Sequence, residues 1–268
     1  MLHIYRLFLV IIILISCDEK ETHVIADLPG HLTEVSAVET IIASNLIWVI
    51  EDSGNKNVLY GLNQKGKITQ EIKISNARNE DWEDLTADKD GNIYIGDFGN
   101  NTRRRNVFAI YKVNRANLSE ASINAEVISF ELPPKLKRED FEAFFIHDNN
   151  FYILGKDPRK SIMIKVPNKT GDHTAELVSE FNLKGKHNSV TSADISNDGK
   201  TIVLLNHDKV WKLSGFSDND FFSGTIESIP LDHNTQKEGV CFKSDDTIYV
   251  TDELNGFRGG NIYEYSLN

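Results

Sequence analysis

The chain has 268 residues, with 29 Lys and Arg against 40 Asp and Glu and a formal net charge of −11. Apolar residues make up 40% and charged residues 26%, the balance of a folded protein with a core, so a disordered chain is excluded. The acidic balance argues against a nucleic-acid partner, whose phosphates call for clustered Lys and Arg, and two Cys cannot staple a disulfide scaffold.

The first element is an apolar run, Leu7–Ile15, preceded by Arg6 and followed by Ser16-Cys17. The run is short for a membrane-spanning helix and suits the core of a secretory signal. A small residue before Cys at this place resembles the bacterial lipobox. That resemblance implies a signal peptide over 1–16, an acylated Cys17 with a polar tether over 17–22, and a folded domain over 23–268. It also implies a lipid anchor in the cell envelope, at the outer membrane, with the membrane as a partner through Cys17. The acidic tether Asp18-Glu19-Lys20-Glu21 resembles the surface-export signal of Bacteroidota lipoproteins. An uncleaved N-terminal anchor is the alternative.

The rest of the chain is a repeat. Each of five units reads as an apolar strand, a polar turn, a second apolar strand, a longer loop and a third strand rich in Tyr, Ile and Val. Turns such as Asp90-Gly91, Asn149-Asn150 and Asp198-Gly199 supply the left-handed backbone that tight hairpins need. With Ser36, Glu83, Glu142, Ser192 and Glu238 as equivalent positions, the spacings are 47, 59, 50 and 46 residues, a period of propeller blades. Alternating segments at Ile68–Ile74, Ala125–Phe130, Glu176–Phe181 and Thr225–Ile229 supply a fourth strand to four units. The fifth unit ends without one, while His23–Leu28 has no unit of its own. The spacing therefore predicts an all-β, five-bladed propeller closed by its N-terminal strand, which removes the open edges of a stack. A sixth, weaker blade hidden in a long connection is the alternative.

In such a blade the start of the innermost strand lies beside the end of the second. Glu83, Glu142 and Glu238 open three inner strands, and Glu51-Asp52, Asp97, Lys156, Asn206-His207 and Asp252-Glu253 end second strands or follow them. All should gather at one mouth of the central channel. Carboxylates crowded there repel unless something neutralises them. Lys156 and Arg105 are internal candidates. A divalent ion held by Glu83, Glu142 and Glu238 is the other, and oxygen ligands without softer donors suit calcium. Blade-pinning hydrogen bonds would also account for these groups. Cys241 lies between Val240 and Phe242 and reads as a buried thiol, and Trp48, Trp82 and Trp211 read as core. No phosphate-cradling loop, zinc motif or nucleophile elbow is present.

Asp81-Trp82-Glu83-Asp84-Leu85, Gly96-Asp97-Phe98-Gly99-Asn100-Asn101, Asp140-Phe141-Glu142-Ala143-Phe144, Thr191-Ser192-Ala193-Asp194-Ile195 and Gln236-Lys237-Glu238-Gly239 occur in that order. Together they resemble a family of secreted bacterial propellers with DWED, GDIGDN, DAEAL, TAADIS and QGEA motifs and no settled activity. More distantly, the central acids are similar to those of gluconolactonase and regucalcin-like propellers, and at the same level to phytase-like and esterase-like ones. Two functions follow as expectations. One is a binding module that takes a small-molecule or protein ligand at an acidic mouth, with or without calcium. The other is a calcium-assisted hydrolase of a phosphoester or lactone, in which Glu83, Glu142 or Glu238 acts as base and Lys156 or Arg105 holds the anion.

Overall fold

The structure is a computed structural model that describes residues 23–134, 136 and 139–268. Residues 1–22, on which the expected signal peptide, the lipidation of Cys17 and the tether fall, lie outside the described residues. Five sheets follow one another along the chain, each with an antiparallel four-stranded body. Their inner strands are Val35–Thr40, Trp82–Ala87, Phe141–His147, Ser192–Ile195 and Lys237–Ser244. The only helical element among the described residues is a 3-10 turn at Arg115–Asn117.

The fifth sheet is completed by Val24–Asp27, which pairs antiparallel with Asn261–Ser266, so the chain's own beginning closes the last blade. His23 holds this closure. Its ring meets the Glu264 carbonyl at 3.1 Å, pairs with Asp232 at 3.2 Å and stacks on Tyr265. Two short strands exceed the expected four per blade. Ser122–Ile123 adds in parallel to the outer strand of the first blade, and Gly171–Thr174 adds in parallel to that of the second. Each comes from the following blade's sequence and covers an outer edge that would otherwise be unpaired.

Each blade packs on the next through apolar side chains from facing sheets. Trp48, Ile50, Leu59 and Ile72 of the first blade meet Trp82, Leu85 and Ile95 of the second. The series ends where Cys241, Tyr249 and Ile262 of the fifth blade meet Val35, Val38 and Ile47 of the first, which closes the ring. Strand alternation produces this arrangement, because both faces of every blade are covered and successive side chains serve opposite interfaces. Trp48, Trp82 and Trp211 are buried in these interfaces, as is Cys241.

Polar side chains bind the inner strands to one another. The Asp84 carboxylate accepts from Leu85 N at 3.0 Å, Phe144 N at 3.0 Å, Ser192 Oγ at 2.8 Å and Ala193 N at 3.2 Å, and so joins three blades. Ser192 Oγ in turn accepts from Val240 N, and Asp194 accepts from Phe242 N, tying the fourth blade to the fifth. Ser36 donates to the Trp82 carbonyl and Thr40 to that of Phe242. Ser36 and Ser192, two of the five equivalent positions, are thus blade pins.

Candidate functional site

A backbone irregularity aims the three glutamates. The register of the inner strands slips between Trp82 and Asp84, between Phe141 and Ala143, and between Lys237 and Gly239, so Glu83, Glu142 and Glu238 are each the extra residue of a bulge. Ser36 sits in the same slip in the first blade. A bulge breaks the alternation and turns one side chain out of the blade interface. Repetition in separate blades brings these side chains to one end of the channel. There Lys156 Nζ lies 2.6 Å from Glu142 Oε1 and also feels the charges of Glu83 and Glu238.

The acids at this mouth fall into distinct settings. Glu142 is paired with Lys156. Burial raises its carboxyl to about 8, with the Lys156 charge opposing and Glu238 and Asp140 adding to the rise. Burial acts to lower the Lys156 ammonium, but Glu142, Glu83 and Glu238 outweigh it and hold the cation firmly protonated. Glu238 Oε1 is 3.2 Å from His207 Nε2. Glu253 is half-buried, and its carboxyl is pushed up to about 8 by burial and then by Glu238, Asp52 and Glu34.

Glu83 has no such partner. It is buried, and its Oε1 makes no hydrogen bond. Asp52, Asp81 and Glu83 each place a carboxylate oxygen within 4.8 Å of the other two. Burial raises Asp81 to about 6, with Asp52 as the next cause, and lifts Glu83 well above the usual range, with Glu142, Asp52 and Asp81 adding repulsion. Asp52 is raised by burial as well. Among the described residues the acids grouped closely enough to hold a metal ion are Asp52, Asp81 and Glu83, and of the expected trio only Glu83 is one of them. Glu142 and Glu238 are occupied by Lys156 and His207, while Asp52 and Asp81 stand beside Glu83.

The segment Gly96-Asp97-Phe98-Gly99-Asn100 forms the wall of this cluster. Phe98 is buried edge-on to Phe144, and its ring takes the space a β-carbon on Gly96 would need. A β-carbon on Gly99 would run into Glu83 Oε1 and lie 2.5 Å from Asp81 Cγ. Asn100 accepts from Arg105 N at 2.9 Å, and its own N–H donates to Asp140 at 2.7 Å, fastening the wall to the third blade.

Other expected ligand residues are engaged by the protein itself. Asp97 pairs with Arg105 at 2.8 Å, and Arg105 also donates to the carbonyls of Asp97 and Gly99, so the two close their own loop. Asn206 donates to the Ser189 carbonyl and accepts from Asp208 N. Asp252 accepts from the Tyr263 hydroxyl at 2.7 Å and from Asn261 N at 2.9 Å. Glu253 remains on a surface cavity with His207, Gln236 and Arg258. Asp81 is the functional candidate that strand-end reasoning missed. Its signal was its place in the Asp81-Trp82-Glu83-Asp84 motif, two residues before Glu83 and just ahead of the strand.

A cavity of about 560 Å³ opens at the other end of the channel, with Glu39 and Asp194 in its lining. These carboxyls accept from Thr40 N and from Ile195 N and Phe242 N, and they serve the ring.

No family profile and no curated protein matches the chain. Among solved structures, a gluconolactonase from Xanthomonas campestris is similar with a TM-score of 0.48 and 10% identity, over 85% of this chain and 70% of that one. A chain of the Kuenenia stuttgartiensis hydrazine synthase is similar with a TM-score of 0.45 and 15% identity, over 89% of this chain and 60% of that one. At this similarity neither protein's chemistry transfers to the chain.

Proposed function

We propose that the propeller is the ligand-binding head of an envelope lipoprotein, anchored through Cys17, and that its channel mouth holds a divalent cation between Asp52, Asp81 and Glu83. The observation that carries the cation is Glu83, a buried carboxylate with an unpartnered oxygen packed between two further acids. An all-oxygen donor set of this charge suits calcium. A bound cation would offset the repulsion among the three acids and supply a fixed positive charge at the mouth, beside Lys156, for a ligand's oxygen atoms. Asp52, Asp81 and Glu83 hold, while Lys156 and His207 face the ligand.

Calorimetry of the purified protein with calcium tests this. Binding at about 1 mM or tighter, the range of extracellular modules, is expected, with a loss of at least about tenfold in Glu83→Gln. No calcium heat, or an unchanged Glu83→Gln, overturns it. Calcium-assisted hydrolysis of a phosphoester or lactone is the second reading, favoured by the His207–Glu238 pair at 3.2 Å, which offers a proton acceptor at the same mouth. Calcium-dependent turnover of p-nitrophenyl phosphate or a simple lactone, lost in His207→Ala, would select the enzyme. Binding without turnover selects the module.

A further inference from the structure

Lys237 lies beside the mouth and is fully buried, which lysine tolerates only when its ammonium is paired or hydrogen-bonded. Its Nζ donates to the His207 carbonyl at 3.1 Å, the His233 carbonyl at 2.6 Å and Thr235 Oγ1 at 3.1 Å. An ammonium has three N–H donors, and three acceptors meet them. The Thr191 hydroxyl donates to the Lys237 carbonyl at 2.9 Å, and Nζ lies 6.0 Å from the centre of the Tyr263 ring.

The acceptors sit on two separate segments. His207 follows the strand Thr201–Leu205, while His233 and Thr235 lie in the connection between the strands Thr225–Pro230 and Lys237–Ser244. Both segments line the side of the mouth. A cavity of about 430 Å³ beside Lys156 and Glu238 and another of about 370 Å³ beside Glu253 and Arg258 share His207, Asn234 and Gln236 as walls. The next residue in the chain acts on the same histidine. Glu238 Oε1 is 3.2 Å from His207 Nε2, so two consecutive residues hold His207, one by its backbone and one by its ring. The bulge between Lys237 and Gly239 makes this possible, because it breaks the alternation that would send neighbouring side chains to opposite faces.

An apolar side chain of similar length would fill the same space, and buried ionic groups are often replaced by apolar ones without loss of stability. Burial lowers the Lys237 ammonium to about 8, with Asp252, Asp208 and Asp232 opposing the fall. His233 is lowered in turn, by burial and then by the Lys237 charge. Filling the space does not call for a charge there, whereas a directional hold on two loops does. Resting on the reading of the mouth as the ligand site, we infer that Lys237 is a positioning residue of that site, whose ammonium fixes His207 and residues 234–236 in the arrangement a ligand meets. Loss of its proton leaves two donors for three acceptors and removes the charge that strengthens each bond, so the hold loosens as the amine forms.

Imidazole NMR of the full-length protein tests this. His207 is assigned from a His207→Gln variant, and His147, beside the cavity at the far end of the channel, is the reference. In the parent the His207 signals should show a step near pH 8 that the His147 signals lack. Lys237→Met keeps the volume and removes the donors, so its His207 signals should shift at neutral pH, lose the step and leave His147 in place. Thr235 is half-buried and outside the strands, so Thr235→Val keeps the fold while it removes one acceptor from the ammonium. Its His207 step should move to lower pH, whereas a step that belonged to Glu142 or Glu253 would stay. The inference is overturned if the parent shows no step, if Lys237→Met folds with parental His207 signals, or if the step is unmoved in Thr235→Val. Absent calcium heat in the parent would remove the cation alone and leave the His207 step standing, so the two readings fail separately.

Discussion

Gly99 and Glu83 are packed so closely that a β-carbon on the glycine would occupy the position of the Glu83 carboxylate oxygen. Gly99 belongs to the loop after the second strand of its blade, and Glu83 to the bulge that opens the first. Their contact is what allows Asp81 and Glu83 to share one pocket with Asp52. Gly99→Ala must displace both carboxylates. It should weaken calcium binding at least about tenfold and cost about 1–3 kcal/mol of stability, as overpacking does. Calorimetry and thermal melting measure the two effects. A Gly99→Ala protein with parental calcium affinity would place the cation elsewhere.

The blade count and the closing strand were legible in the sequence because strand period, turn residues and repeat spacing all point to one ring. The convergence of Glu83, Glu142 and Glu238 was legible for the same reason, since equivalent places in separate blades surround one axis. The partners of these residues were not. Whether Glu142 meets Lys156 or a cation depends on loop paths of a few residues, which no periodicity encodes. Asp97 and Arg105 sit where a ligand residue would, yet they face one another because the loop between them doubles back. Asp84 carries no sequence signal apart from its neighbours, and its role appears only when three blades meet. The strands Ser122–Ile123 and Gly171–Thr174 were hidden because each pairs with the preceding blade.

The acid cluster gives stability a pH dependence of known sign. Asp81 titrates at about 6 and both Glu142 and Glu253 at about 8, all raised above their ordinary values. A carboxyl raised by folding binds its proton more tightly in the folded state than in the unfolded one. Stability then falls as pH rises from the unfolded value toward the folded one. In a chelator the melting temperature should decline between about pH 5 and pH 8 on this account. Calcium competes with the protons, so its affinity should rise through about pH 6 and its presence should flatten the decline. A melting temperature that rises through this window in chelator would contradict the burial of these groups.

The anchor is tested apart from the propeller. Cys17→Ala should accumulate as an unprocessed precursor that takes up no labelled palmitate, and the parent should partition with membranes. Normal acyl labelling of the variant would refute the lipobox reading.

Asp84 is the strongest structural dependence of the ring. Its two oxygens accept from four donors, three of them on the third and fourth blades. Burial raises the carboxyl well above its ordinary value, and these hydrogen bonds oppose that rise. Asp84→Ala would leave buried N–H and O–H groups of three residues on other blades without acceptors, at about 1–3 kcal/mol each. That is a large share of the roughly 5–15 kcal/mol that holds a folded protein together. The variant should melt far below the parent or fail to fold. Asp84→Asn keeps one acceptor oxygen and should fall between the two. Ser192→Ala removes one donor to Asp84 and the acceptor of Val240 N, and should cost less than Asp84→Ala. Chemical denaturation of the series gives the order parent, Ser192→Ala, Asp84→Ala. An Asp84→Ala protein as stable as the parent would show that inter-blade apolar packing alone closes the ring.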